Sequence, residues 1–170
     1  MDMAEEVMIA GIGCRAGVSR AQVEAAIEAA IATLCVAQSN PEPAQDILRA
    51  AGRRLTLTAI ATPAGKIDEP GIQAAAAARG VPLLAISQAC LEAAAAGTVT
   101  RSAHSMAAMN VQSVAEAAAL AGASEMGHAA CATAAARGAL AHRPKPTPRL
   151  LQPRVVAGAV TCALADITTS

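Results

Sequence analysis

A loop rich in glycine follows the first apolar run of the chain and is its clearest candidate for binding chemistry. The run Val-Met-Ile-Ala predicts a buried strand, and the residues that follow include Gly11, Gly13, Cys14, Arg15 and Gly17. Ser19 then begins a predicted helix, with Gln22 completing a capping-box pattern. Backbone N–H groups in such a loop, together with the helix dipole, favour a bound anion. The guanidinium group of Arg15 can bind a carboxylate through two parallel hydrogen bonds. We therefore expect an anion site here.

Two other interpretations of the glycine loop stay open. Its spacing, G-x-G-x-x-x-G, is one residue longer than the dinucleotide fingerprint, and the second strand ends in Ala61-Thr62-Pro63 instead of an acidic residue. A nucleotide-binding module is one alternative, and a tight turn without a ligand is another. Cys14 lies near a helix N-terminus and beside Arg15, and both features would lower the pKa of its thiol. Because no Cys/His pair has motif spacing, a packed thiol is favoured over a nucleophile.

A second polar loop follows the next predicted strand and contains Lys66, Asp68, Glu69, Pro70 and Gly71. The carboxyl ends of parallel strands meet at one edge of a sheet, so this loop should lie beside the glycine loop in a ligand crevice. Asp68 or Glu69 is then a candidate general base. In a second interpretation, compatible with the first, Asp68 caps the next helix and Glu69 and Pro70 occupy its first turn.

Other polar residues could contribute to the same crevice. Ser113 and Glu116 form a second capping box, and a ligand contact by either is a secondary prediction. The proline-rich stretch 142–149 is a solvated loop or a basic lid, and the candidate lid cations are Arg143, Lys145, Arg149 and Arg154. None of the three histidines has a Cys, Asp or Glu at the spacing of a metal-binding motif. They are His104, His128 and His142. We therefore expect neither a metal site nor a cofactor.

Strands and helices alternate through the first half of the chain, which is typical of parallel strands joined by helical crossovers. The predicted strands are Glu6–Ile12, Leu55–Ala61 and Val81–Ile86. The predicted helices are Arg20 to Ala37, a short one over 44–51, one from Gly71 to about Arg79 and one that Ser87 caps.

The second half ends in two predicted strands, Arg149–Val156 and Ala159–Ala165, joined as a hairpin through Ala157-Gly158. Between them and the first half, the stretch 122–148 is predicted to be a loop or a helical insertion, since its first part is rich in alanine. We predict one α/β domain over residues 1–170. Its fold should be a three-layer αβα arrangement with a mainly parallel sheet and a C-terminal β-hairpin.

Composition excludes several classes of function. The 170 residues contain no Phe, Tyr or Trp, which removes the usual stacking platforms for single-stranded nucleic acid. The 13 Lys+Arg balance the 13 Asp+Glu, so no global field attracts DNA or a membrane surface. The odd number of cysteines, 5, indicates reduced thiols in a cytoplasmic protein. Neither a signal peptide nor a membrane span is expected.

Motifs at four places along the chain resemble the CobE / CbiG C-terminal domain family of cobalamin biosynthesis. They are Gly11-Ile12-Gly13-Cys14-Arg15-x-Gly17, Lys66-x-Asp68-Glu69-x-Gly71, Ser113-Val114-Ala115-Glu116 and Pro153-Arg154-Val155-Val156-x-Gly158. The last motif is more similar to the stand-alone CobE members, and Ser102 in Thr100-Arg101-Ser102-Ala103 also fits. The resemblance runs from about Val7 to Ala165, and 122–148 is longer than the family's usual connection.

The resemblance implies an α/β fold and a part in building the corrin ring. It implies that the chain binds a precorrin or hydrogenobyrinic-acid-type intermediate and assists or carries it, with other cobalamin-pathway enzymes as partners. The alternative is an enzyme that opens the lactone of a cobalt-precorrin or precorrin with loss of a two-carbon fragment. Asp68 or Glu69 would be its base, and Arg15 the partner of the oxyanion or carboxylate. The expected ligand-binding residues are Gly11, Gly13, Cys14, Arg15, Gly17, Lys66, Ser102, Ser113, Glu116 and Arg154.

Overall fold

A mixed β-sheet with helices on both faces organises the chain. The computed structural model describes residues 5–37, 47–50, 53–136 and 147–168. The strands in these ranges are β1 (Glu5–Cys14), β2 (Ile47–Ala50), β3 (Arg53–Pro63), β4 (Leu83–Ile86), β5 (Thr147–Ala157) and β6 (Val160–Thr168). The helices are α1 (Arg20–Ala37), α2 (Pro70–Arg79), α3 (Gln88–Ala94), α4 (Ala103–Met109) and α5 (Val114–Ala136).

Three neighbouring strands of the sheet are parallel, because β1 and β4 both run parallel to β3. The strand order is β2-β3-β1-β6-β5, and β4 pairs with the last residues of β3, Ile60 to Pro63, beyond the end of β2. β6 is antiparallel to β1, and β5 is antiparallel to β6. The predicted α/β class, the parallel strands of the first half and the C-terminal hairpin are therefore confirmed.

The sheet is the middle of three layers, as predicted. One buried cluster joins Met8 and Ile12 of β1 to α1 and α2, whereas Ile9 between them belongs to a second cluster with α3 and α5. Because successive strand side chains alternate between faces, a single strand supplies both cores. The predicted apolar face of α1 is buried through Val23, Ile27, Ile31 and Leu34.

Helix α5 lies very close to the sheet because both surfaces are built from small residues. Ala59, Ala61 and Ala163 are buried together with the alanines of α5. A Cβ added to Gly11 would lie 2.0 Å from the carbonyl oxygen of Ala115, so glycine is required by this approach. In a chain without aromatic residues, such close contact is how the core reaches normal packing density. The helix continues to Ala136, so the alanine-rich start of 122–148 is helical.

Two local predictions are wrong. The described part of the predicted helix at 44–51, Ile47–Ala50, is strand β2, and residues 44–46 and 51 lie outside the described ranges. A short apolar run is compatible with either a helix or a strand. Here antiparallel pairing with the first residues of β3 stabilises the strand. The hairpin turn is Gly158-Ala159, one residue later than predicted, because the first of its two central positions has φ 61, a conformation that favours glycine.

The helices in the described ranges include none that is both long enough and apolar enough to cross a bilayer. The cysteine side chains that the structure describes are free thiols, at Cys14, Cys35, Cys90 and Cys162.

Candidate functional site

A cleft of about 560 Å³ opens where β1 and β3 end, between α4 and the β5–β6 turn. Of the predicted ligand-binding residues, it is lined by Gly13, Cys14, Arg15, Lys66, Ser102 and Arg154. The first loop, the second loop and the C-terminal motif thus meet at one sheet edge, as parallel strands require. The predicted residues outside the lining are Gly11, Gly17, Asp68, Glu69, Ser113 and Glu116.

The charged side chains in the lining of the cleft are all basic. Arg15 and Lys66 come from the loops after β1 and β3, Arg154 comes from β5, and His104 from α4 adds an imidazole. The described lining contains no Asp or Glu. Arginine and lysine side chains without a competing carboxylate favour an anionic ligand, and the guanidinium groups suit carboxylates in particular.

Backbone contacts hold the glycine loop against the C-terminal hairpin. The N–H of Arg15 donates to the carbonyl of Ala159 at 3.2 Å, and the Thr161 hydroxyl donates to the carbonyl of Gly13 at 3.0 Å. A Cβ on Gly13 would lie 2.8 Å from the same hydroxyl, so only glycine leaves this contact intact. Beyond the loop, the predicted capping box is confirmed, because Ser19 and Gln22 exchange side chain–backbone hydrogen bonds of 2.9 and 3.2 Å.

The carboxylate of Glu69 connects the two loops. Its Oε1 accepts a hydrogen bond from the N–H of Gly17 at 2.6 Å, and Gly17 has the positive φ of 79. The prediction that Asp68 caps the following helix is wrong: Glu69 is the N-cap residue of α2, and Pro70 occupies the first helical position. Asp68 is exposed and lies outside the lining of the cleft.

Glu116 is fully buried and holds three parts of the chain together. Its carboxylate accepts hydrogen bonds from the N–H groups of Val99, Thr100 and Arg154 at 2.6, 3.1 and 3.0 Å, and from the Thr100 hydroxyl. In the predicted capping box, Ser113 accepts from the N–H of Glu116 at 3.5 Å, but the return bond from the Glu116 side chain is replaced by these distant donors. The residue therefore positions Arg154 and the segment before α4.

These donors decide the charge of Glu116. Burial by itself raises the pKa of a carboxyl group, but hydrogen bonds from the Arg154 N–H, the Thr100 hydroxyl and the Val99 N–H outweigh it. The pKa of Glu116 therefore lies below its ordinary value, and the group stays ionised in the folded protein.

Cys14 differs from the sequence expectation. Burial raises the pKa of its thiol, and the lowering by Lys66 is partly cancelled by Glu69. Residues 15–19 separate Cys14 from α1, so the helix N-terminus that was expected to lower the pKa is not adjacent. The thiol is protonated at neutral pH, which favours the packed interpretation over the nucleophile.

Slow alkylation of Cys14 by iodoacetamide is the expected result at pH 7. With a pKa above the ordinary 9.0, at most about 1% of the thiol is ionised there, and the rate should rise steeply as the pH passes 9. Peptide mass spectrometry after short exposures measures this, with Cys162 as an internal control, because burial raises its pKa to about 12. Half-maximal reactivity of Cys14 below pH 8 would contradict the assignment.

Of the two predicted lid cations that the structure describes, Arg154 lines the cleft and Arg149 does not. Arg149 forms a two-pronged ion pair with buried Asp166, at 2.7 and 3.2 Å. Asp166 lies opposite Met8 and the cleft begins near Cys14, so this pair lies roughly 20 Å along the sheet from the cleft. Arg143 and Lys145 lie outside the described residues.

Helix α4 supplies four lining residues that sequence reasoning missed. The lining includes His104, Ser105, Ala108 and Met109 from this helix. The available signal was Ser102, whose hydroxyl caps the helix by accepting from the N–H of Ser105 at 3.3 Å. A helix of seven residues has no periodic apolar pattern that could indicate its inner face from the sequence.

A second cavity, of about 400 Å³, lies between α3 and α5. Glu125 and His128 line it, and its described lining contains no Lys or Arg. It is therefore the weaker candidate for an anion. Among the described residues, no group of three or more His, Cys, Asp or Glu side chains could hold a metal ion.

Comparisons with known proteins agree with this architecture. The family model described as "Cobalamin synthesis G C-terminus" matches residues 8–165. The chain is similar to the crystal structure of CobE, a protein from the cobalamin (vitamin B12) biosynthetic pathway, with 26% identity, a TM-score of 0.70, and coverage of 97% of this chain and 93% of that one. It is also similar to the cobalamin biosynthesis protein chiG from Agrobacterium tumefaciens str. C58, with 30% identity, a TM-score of 0.50, and coverage of 93% and 96%. A comparison with curated proteins found no match.

Proposed function

The chain belongs to the cobalamin synthesis G C-terminus family and is a protein of cobalamin biosynthesis, and from that premise we propose that its cleft binds a corrin-ring intermediate. The ligand class is a precorrin or hydrogenobyrinic-acid-type macrocycle. The protein assists or carries this intermediate between the enzymes of the pathway. We place it in the cytoplasm. The cysteine side chains that the structure describes are free thiols, which is typical of proteins in a reducing compartment.

One observation carries the proposal: the cleft combines separated cations with an apolar wall. Arg15, Lys66 and Arg154 reach the lining from different strands, while alanine, valine and methionine side chains cover much of the rest. Corrin precursors have the complementary chemistry, since acetate and propionate carboxylates surround an apolar ring. Each arginine can bind a carboxylate through two parallel hydrogen bonds, and a volume of about 560 Å³ lies within the usual range of ligand pockets.

Binding or delivery is favoured over hydrolysis by the positions of the acidic residues. The hydrolytic alternative needs a carboxylate that reaches the ligand as a general base. Glu69 accepts a hydrogen bond from the Gly17 N–H, and neither it nor Asp68 is part of the described lining. The positions of these two residues therefore support binding of a polycarboxylate rather than its hydrolysis.

Substitution Arg15→Gln is expected to weaken the binding of hydrogenobyrinic acid about tenfold, because one charge-assisted contact worth roughly 1.5–3 kcal/mol is lost while the ligand stays partly solvated. Titration of the purified protein, followed by the visible absorption of the macrocycle, measures the dissociation constant. Lys66→Gln and Arg154→Gln should act in the same direction.

The matched control is Arg20→Gln, which removes an arginine that pairs with Glu24 on the exposed face of α1 and lies outside the cleft. Its effect on binding should stay within about twofold, since exposed ion pairs contribute little. Absence of any spectral change at micromolar wild-type protein, or an equal loss in Arg20→Gln and Arg15→Gln, would overturn the proposal.

A further inference from the structure

We propose that His104 is an axial ligand for the metal of a cobalt-bearing macrocycle in the cleft, an inference that rests on the proposed function and extends its ligand class from the metal-free ring to the corresponding cobalt complex. His104 lies on α4 and lines the cleft. Its side chain is exposed, and no described residue forms a hydrogen bond or ion pair with it. The imidazole is therefore not used by the fold, and imidazole nitrogen is a common protein ligand for transition metals.

Helix α4 forms a wall of the cleft and contacts the core through Met109 at its C-terminal end. None of its seven residues is buried. Its ends are fixed by polar contacts, since the N–H of Ser102 donates to the carbonyl of Gln112 at 2.7 Å and the Gln88 amide donates to the carbonyl of Met109 at 2.6 Å. The helix is thus held at both ends, and its remaining lining residues His104, Ser105 and Ala108 face the cleft.

The distribution of charge orients a flat ligand against this wall. Arg15 and Lys66 lie where β1 and β3 end, and Arg154 lies on β5, whereas the α4 side of the lining carries the neutral residues Ser105 and Ala108 next to His104. A ring whose peripheral carboxylates bind the cations therefore turns one face toward α4. The axial position of a metal at the ring centre is perpendicular to that face, which is the side where the imidazole lies.

The structure disfavours the thiol of Cys14, which also lies in the lining, as the ligand. Burial raises the pKa of its thiol, so the group is protonated at neutral pH and is a poor ligand. The described residues also include no cluster that could hold a bare metal ion. His104 would thus coordinate only a metal whose equatorial positions the macrocycle already fills.

The coordination step is a simple ligand exchange. An imidazole nitrogen of His104 forms a bond to cobalt, the bond from cobalt to an axial water breaks, and the water leaves with no change of oxidation state. The consequence is selectivity, because a cobalt-bearing ring gains this bond and a metal-free ring does not.

Electron paramagnetic resonance of the complex with cobalt(II) cobyrinic acid tests the inference. In the wild-type protein, one axial nitrogen should split the cobalt lines into triplets. In His104→Ala the triplets should disappear, and the affinity for the cobalt ring should fall roughly ten- to hundredfold. The affinity for metal-free hydrogenobyrinic acid should change by less than about twofold, an effect under 0.5 kcal/mol. His128→Ala, in the second cavity, is the control and should leave both affinities and the triplets unchanged.

Several results would overturn the inference. They are a bound cobalt ring without nitrogen splitting in the wild type, triplets that persist in His104→Ala, or an equal loss of affinity for both rings. Binding of the metal-free ring without the cobalt ring would also overturn it while leaving the proposed function intact. If neither ring binds the wild-type protein, the proposed function and this inference fail together.

Discussion

Replacement of Gly11 by alanine is expected to lower the free energy of unfolding by at least about 3 kcal/mol. The added Cβ would lie 2.0 Å from the Ala115 carbonyl oxygen and 2.4 Å from the Ala119 nitrogen. Both are backbone atoms of α5, so no side-chain rotation relieves the contact, and the helix must move away from the sheet. Urea denaturation followed by far-ultraviolet circular dichroism measures the loss, since a chain without aromatic residues has no intrinsic fluorescence to follow.

The matched control for this variant is Gly65→Ala. Gly65 has no atom within 4 Å of an added Cβ and no positive φ, so its stability should change by no more than about 0.5 kcal/mol. A Gly11→Ala protein that is purified but unfolded agrees with the expectation. A stability loss no greater than that of Gly65→Ala would show that α5 is not held as close to β1 as described.

Replacement of Glu116 by glutamine is expected to cost about 2–4 kcal/mol at pH 7. The carboxylate is fully buried and accepts from the N–H groups of Val99, Thr100 and Arg154. An amide has one acceptor oxygen, and its NH2 group would face donors, so buried N–H groups lose their partner. Glu125→Gln, an exposed position on the same helix, is the control and should lie within about 0.5 kcal/mol of wild type.

The difference in stability between wild type and Glu116→Gln should depend on pH, with a sign that the pKa of Glu116 determines. Because the folded-state pKa of Glu116 is lowered from 4.5, its ionisation stabilises the protein above that value, and the contribution disappears as the pH falls toward the folded pKa. The stability gap between wild type and Glu116→Gln should therefore be constant from pH 7 to about pH 5.5 and narrow below about pH 4.5. A gap that stays the same at pH 7 and pH 4 would exclude the charged state assigned to Glu116.

Local patterns were sufficient for much of the fold. Helix α1 begins at Arg20 and ends at Ala37 as its apolar spacing predicts, and the hydrogen bonds of Ser19 and Gln22 confirm its start. The alternation of strands and helices predicted the parallel centre of the sheet, and with it the meeting of the loops that carry Arg15 and Lys66. These features depend on neighbours within a few residues or on the general rule for parallel strands, so the sequence is enough to predict them.

Only tertiary structure decided which predicted residues line the cleft. Gly11 and Gly13 are two positions apart in one motif, yet Gly11 is covered by α5 and Gly13 borders the cleft. Glu116 has the spacing of a capping box, but the residues that donate to its carboxylate lie 16, 17 and 38 residues away along the chain.

The physical reason is the range of the interactions. Capping and apolar periodicity act within a turn or a strand, so the sequence by itself determined the α/β class, the extent of α1 and the edge of the sheet at which the loops meet. The closeness of α5, the partners of Glu116 and the place of α4 beside the cleft depend on the packing of distant segments. Many arrangements of such contacts are compatible with one local pattern, and the tertiary structure selects among them.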